Sequence, residues 1–289
     1  MDLVELRIFK AVAEQGGVTK AAAVLNRVQS NVTTRVKQLE ERLGAKLFHR
    51  QGRKLVLSSE GKVLLAYADR LLRLSSEAQA AVKGHAPHGL FRLGTLESTA
   101  ATRLPPVLAR YHREYPAVRL ELSTGTSGAL VDRVLRGEIE AAFVAEPFAG
   151  KNLEMQHAFT EDLVLITPKG HGPVKAPKDI EERVVLAFTT GCSYRRRLEG
   201  WLGRSSVVAE RVMEYGSYHA ITACVAAGAG IAVVPRSVLR VVGAEAQVAV
   251  HPLPAQVSKA RTMLVWPRGH QSAALSALRD ELRTRVAQL

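Results

Sequence analysis

Between Arg27 and Leu39 the chain reads Arg-Val-Gln-Ser-Asn-Val-Thr-Thr-Arg-Val-Lys-Gln-Leu, and this stretch constrains the N-terminal fold more tightly than any other. Apolar Val28, Val32, Val36 and Leu39 recur at steps of four, four and three, which predicts a helix over 27–39 holding one stripe to a core. The opposite face carries Gln29, Ser30, Asn31, Thr33, Thr34, Arg35 and Lys37. Amides and hydroxyls of this kind can meet base edges, and the cations can meet phosphates. An ordinary amphipathic surface helix would show the same pattern, so the flanking residues decide between the two readings.

Upstream, Leu3, Leu6, Phe9, Val12 and Ala13 form one helical stripe over 2–14, ending at Gly16-Gly17. Thr19 is placed to cap a short second helix over 20–25, whose alanines allow close packing, and Asn26 turns the chain into the third. Helix, short helix, turn and polar-faced helix is the helix-turn-helix order, with the third element entering the major groove. Downstream, two β-prone segments, 43–50 and 55–58, flank the basic tip Gln51-Gly52-Arg53-Lys54. This predicts a hairpin wing whose Arg53 and Lys54 reach phosphates or a narrow minor groove; a solvated loop is the alternative.

From Ser59 to about Lys83 a long helix is expected, with Leu64, Tyr67, Leu71, Leu74, Ala78 and Ala81 at steps of three and four. That is a coiled-coil seam, which predicts dimerisation; packing against the chain's own N-terminal domain competes for the same stripe. Residues 84–89, Gly-His-Ala-Pro-His-Gly, read as a hinge.

At 289 residues the chain can hold two or three domains, and its 47% hydrophobic content suits a globular protein. The expected arrangement is a DNA-binding domain over 1–58, a linker helix and hinge over 59–89, and an effector domain over 90–289. Forty basic and 27 acidic residues give a formal charge of +13, with lysine and arginine dense from Arg27 to Lys54, which points to a polyanionic partner. No apolar run is long enough for a bilayer, and acidic residues stand where a secretory leader carries positive ones, so a cytoplasmic, membrane-free protein is expected. Cys192 and Cys224 make neither a disulfide framework nor a zinc spacing.

Beyond Leu90, strand and helix patterns alternate. Strands are expected at Phe91–Gly94, 118–122, 141–145, 163–166, 184–188, 207–213, 231–235 and 262–266, with helices at 104–115, 129–136, 194–202, 217–227 and 275–286. This predicts two α/β lobes, one over 90–161 and 266–289 and the other over 162–265, with a ligand cleft at the strand ends. The turns facing that cleft hold Glu97, Ser98 and Thr99; Thr126; Thr189, Cys192 and Tyr194; and Ser217 and His219. Hydroxyls and free N–H groups at helix starts favour a carboxylate, whereas Glu97 would repel one and pair with an ammonium, so a carboxylate, a zwitterion or an amine-bearing effector is indicated. Cys192, near a helix start, is expected to have a lowered thiol pKa.

Taken together, Phe9-Lys-Ala-Val-Ala-Glu, Ala21-Ala-Ala-Val-Leu, Gln29-Ser30, Arg35, Gln38-Leu39-Glu40, Leu43-Gly44, Leu47-Phe48, Arg50 and Gly61 resemble the LysR-type transcriptional regulators of bacteria. The resemblance extends over the whole chain. It implies a winged helix-turn-helix with a linker helix, a two-lobed effector domain like the periplasmic binding proteins, and a dimer or tetramer on an interrupted palindromic operator. It also makes Ser98, Thr126 and Thr189 the first choices for holding the effector. Many members of the family carry Ser-Arg where this chain has Thr33-Thr34, which leaves base preference open. RNA polymerase is a further partner to expect of such a regulator. A non-specific basic DNA-binding protein is the alternative, and a cleft enzyme using Cys192 with His219 is a third reading. No phosphate loop, dinucleotide fingerprint, metal-ligand set or third catalytic residue supports that enzyme, and no cofactor is expected.

Overall fold

The computed structural model describes residues 1–52, 54–83, 86–181 and 183–286. It separates into an N-terminal unit and a larger unit that begins at Ala86. Among the described residues, no helix is long and apolar enough to cross a membrane.

The N-terminal unit opens with α1 (Leu3–Gln15), α2 (Val18–Val24) and α3 (Gln29–Leu43). The hairpin β1 (Phe48–Gln51) and β2 (Lys54–Leu57) follows, and then α4 (Ser59–Lys83). Helix α1 is apolar on two sides. Ile8, Ala11 and Val12 pack with Ala21, Ala22, Val32 and Val36, while Leu6 and Phe9 pack with Leu39, Leu47 and Ala68. Leu3 stays exposed, because it precedes the turn that enters the core. Asp2 and Glu5 form a reciprocal capping box at the start of α1. The buried Glu5 carboxylate also takes both Arg42 nitrogens at 3.0 Å, tying the start of α1 to the end of α3.

Two helix starts differ from expectation. Gly17, not Thr19, precedes α2. Val28 is an extended N-cap that stands 71% exposed, so the stripe of α3 begins at Val32. Gly44 ends α3 in the left-handed conformation, φ 63°. The expected first hairpin segment therefore shortens to β1, whose Gln51 pairs with Lys54 around Gly52. Arg53 lies outside the described residues, as do Gly84 and His85 of the expected hinge.

The linker stripe divides. Leu64, Leu65 and Leu72 are half-buried against the α1 core, whereas Val63, Tyr67, Leu71, Leu74 and Ala78 are exposed. Leu64 thus belongs to the chain's own core and Val63 takes the outward position, a consequence of the 3.6-residue turn.

In the larger unit β3 (Gly89–Thr95), α5 (Glu97–Thr102), α6 (Leu104–Glu114), β4 (Val118–Thr124), α7 (Ser127–Leu135) and β5 (Ala141–Ala145) build the first lobe. The long strand β6 (Leu153–Pro168) leads to β7 (Val184–Ala187), α8 (Ser193–Gly203), β8 (Arg211–Glu214), α9 (Tyr218–Ala226), β9 (Ala232–Pro235), α10 (Arg236–Val242) and β10 (Val248–Pro252). The short α11 (Ala255–Ser258), β11 (Lys259–Pro267) and α12 (Ala273–Val286) complete the chain. Strand β3 runs parallel to β4 and β5, while β11 lies antiparallel between β5 and β6. The far half of β6 pairs with β9 and β10. Parallel β7 and β8 join β9 through the Val185–Ile231 bridge. Since Thr262–Val265 pair with β5, the chain has returned to the first lobe before residue 266. The expected strand over 207–213 shortens to β8.

At the first turn of α4, a β-carbon added to Gly61 would lie 2.1 Å from the Leu47 carbonyl oxygen. Backbone at that distance cannot step aside, so Gly61→Ala is expected to destabilise the N-terminal unit by about 1–3 kcal/mol. Urea unfolding of the variant checks this, with an unchanged midpoint refuting it.

Candidate DNA interface and ligand cleft

Burial of Val32, Val36 and Leu39 fixes which side of α3 faces outward. Gln29, Ser30, Asn31, Thr34 and Lys37 are exposed there, and Thr33 and Arg35 are half-buried. The Thr33 hydroxyl donates to the Gln29 carbonyl at 2.9 Å, leaving its methyl and an oxygen lone pair for an outside partner. A concave surface runs beside the helix, lined by Thr19 and Lys20 at the start of α2, Gln29, Thr33 and Lys37 on α3, and Lys46 and Arg50 at the hairpin. Lys20, Lys46 and Arg50 thus join the expected cations; the sequence hid them because they lie on three different elements. Glu40 organises the hairpin base, accepting the Leu47 N–H at 2.8 Å and holding Lys46 at 3.1 Å. Arg53 is outside the described residues, and Lys54 is placed only as the first residue of β2.

In the larger unit the carboxyl ends of β3, β4, β5 and β7 converge, as a switch point of an open α/β sheet requires. The cleft there is narrow and is lined by Leu96, Glu97, Ser98, Gly125, Thr126, Ser127, Ala145, Phe188, Cys192, Ser193, Tyr194 and Tyr218. Of the expected residues Glu97, Ser98, Thr126, Cys192 and Tyr194 line it. Ser127 and Ser193 lie in the same expected turns, whereas Phe188 and Tyr218 were not expected. Thr99 is buried outside the lining, and Thr189 and His219 are exposed beyond it; Ser217 caps α9 at its edge.

The lobes meet through specific bonds. The Ser193 hydroxyl donates to the Ala145 carbonyl at 2.6 Å, and the Gly128 N–H donates to the Gly191 carbonyl at 3.2 Å. Ser98 Oγ and the Tyr194 hydroxyl stand 3.5 Å apart. Below them Arg103 holds the buried Glu161 carboxylate with two bonds, 2.6 and 3.0 Å, and Ser237 donates to it at 2.8 Å.

Burial pushes the Glu97 carboxyl above its ordinary pKa, against the opposing pull of His219 and the Tyr218 N–H. Burial likewise pushes the Cys192 thiol up, overriding hydrogen bonds from the Arg195 and Tyr194 N–H groups. The lowered thiol pKa expected at this helix start is therefore reversed, since desolvation outweighs the helix terminus. Cys192 lacks the activation that a nucleophile paired with His219 would need.

A model of the bacterial regulatory helix-turn-helix proteins of the lysR family matches residues 3–62, and a model of the LysR substrate binding domain matches residues 84–287. The chain belongs to the LysR family. It is 40% identical over 269 residues to the HTH-type transcriptional regulator YusT of Bacillus subtilis (strain 168), covering 92% of this chain and 89% of that protein. It is 36% identical over 266 residues to GltR of the same organism, covering 92% and 90%. Two solved structures share the fold. A full-length OxyR from Pseudomonas aeruginosa superposes with a TM-score of 0.74 at 21% identity, covering 98% of this chain and 95% of that one. CbnR complexed with its target DNA superposes with 0.67 at 23%, covering 98% and 99%. This LysR-family protein is thus a DNA-binding transcriptional regulator with an effector-binding domain.

The raised thiol pKa has a direct readout. At near-neutral pH, iodoacetamide is expected to alkylate Cys192 at least about tenfold more slowly in the folded protein than in urea. Peptide mass spectrometry checks this; equal rates would contradict the burial argument.

Proposed function

We propose that α3 enters the major groove and that Gln29, Ser30, Asn31, Thr33 and Thr34 read base edges there, with Arg35 reading a base or joining Lys37 on phosphate. The observation that carries this reading is the exposed polar face of α3, fixed outward by Val32, Val36 and Leu39 and flanked by a basic concavity. Lys20, Lys46 and Arg50 bind phosphates around it, and the wing tip, with Arg53 and Lys54, reaches the neighbouring groove.

The exposed Val63, Tyr67, Leu71 and Leu74 of α4 support a homodimer through this helix, with Ala78 extending the seam. Two copies of the DNA-binding domain then read an interrupted palindrome, and pairing of dimers gives the tetramer. A small molecule bound in the interlobe cleft by Ser98, Thr126 and their neighbours shifts the population of lobe arrangements and so the spacing of the DNA-binding domains. Thr189, Ser217, His219 and Thr99 lie outside the lining and take no part in holding the effector. The protein works in the cytoplasm, where it meets DNA and RNA polymerase.

Selection of bound sequences from a random DNA pool tests the reading. An interrupted palindrome is expected, and binding without sequence enrichment would instead indicate a non-specific basic protein. On the selected operator, Gln29→Ala is expected to lose about 1–3 kcal/mol of discrimination for each base contact removed. The ratio of operator to random-DNA affinity measures it, and an unchanged ratio removes Gln29 from base readout. For the seam, Leu74→Glu is expected to weaken the dimer about tenfold or more. Sedimentation equilibrium reads that shift, and a dimer as stable as the parent would move the interface elsewhere.

A further inference from the structure

The interlobe cleft is electrostatically one-sided. Among the described residues that line it there is one carboxylate, Glu97, and no lysine, arginine or histidine. Glu97 Oε2 is shut off from solvent and has no hydrogen-bond partner. A buried acceptor in that state costs free energy until a donor reaches it.

Helix starts around the cleft are the usual place for an anion, and at α7 two of the donors are already engaged. At α7 the Gly128 N–H donates to Gly191 and the Ala129 N–H to Thr126 Oγ1, at 3.2 and 3.4 Å. At α8 the Tyr194 and Arg195 N–H groups face the Cys192 sulfur. At α9 the Tyr218 N–H lies against the Glu97 carboxyl itself, which occupies the position an anionic ligand would take. An incoming carboxylate would meet a like charge at Glu97. A cation meets the opposite: an acceptor without a donor, beside aromatic rings. Phe188 and Tyr218 stand with ring centroids 4.7 Å apart, and Tyr194 completes the wall.

We propose that the effector of this regulator carries a protonated amine, held by the Glu97 carboxylate beside the Phe188, Tyr194 and Tyr218 rings. This rests on the reading of the interlobe cleft as the effector site. The Ser98 and Thr126 hydroxyls take the effector's remaining polar groups.

Two sets of probes, each uniform in shape and varied in charge, test the proposal by calorimetric titration of the full chain: benzylamine, benzyl alcohol and benzoate, and butylamine, butanol and butyrate. In at least one set the amine is expected to bind most tightly, and Glu97→Gln is expected to weaken it about tenfold or more. Glu97→Asp, which keeps the charge, is expected to retain the preference for amine over acid. If an acid binds most tightly and Thr126→Val weakens it, the amine assignment falls while the cleft remains the effector site. If an amine binds equally well to the parent, Glu97→Gln and Thr126→Val, it binds elsewhere and both readings fall. Failure of all six probes to bind at millimolar concentration overturns the amine assignment.

Discussion

The carbonyl of Ala145, at the carboxyl end of β5, accepts a hydroxyl from each lobe: Ser127 from the first at 3.1 Å and Ser193 from the second at 2.6 Å. Ser127 also receives the Ala145 N–H at 3.0 Å, so this one residue has its backbone polar groups committed inside the cleft. This junction ties the two lobes together at the floor of the cleft. A hydroxyl–carbonyl bond of this kind contributes only about 1 kcal/mol net. The shared apolar core adds to it, and the crossing strands β6 and β11 keep the lobes in register.

A different economy governs the N-terminal unit. Helix α1 serves both cores, so the exposed polar face of α3 needs no contact of its own to be held outward. Every polar side chain on that surface remains available to a partner except the Thr33 hydroxyl hydrogen, spent on the Gln29 carbonyl.

Much of this was legible in the sequence. Helix periodicity located α1, α3 and α4, and strand–helix alternation showed the two-lobed domain, because each buries a continuous apolar face. What failed did so where position along the chain does not report depth. Val28 continues the spacing of Val32 and Val36 but lies one residue before the helix, in extended backbone. Leu64 and Val63 are adjacent hydrophobics, and only the packing of α4 on α1 shows which one turns inward. Cys192 sits at a helix start as its neighbours suggest, yet its burial reverses the expected effect on the thiol. Strand β10 and helix α10 escaped notice because their short apolar runs lack flanking periodicity. In the cleft, the turns after β3 and β4 were found through their hydroxyls, whereas nothing in the spacing of Tyr218 and Phe188 marked them as cleft residues.

The join between the hairpin and α4 has a mechanical consequence. The Ser58 hydroxyl donates to the Lys46 carbonyl at 2.7 Å and accepts the Gly61 N–H at 2.8 Å, while the Ser58 N–H reaches the Leu47 carbonyl at 3.0 Å. With Gly61 seated flush against Leu47, there is no slack between the wing and the first turn of the long helix. The two are joined as a crank is to its shaft: turning α4 about its own axis carries β1 and β2 with it.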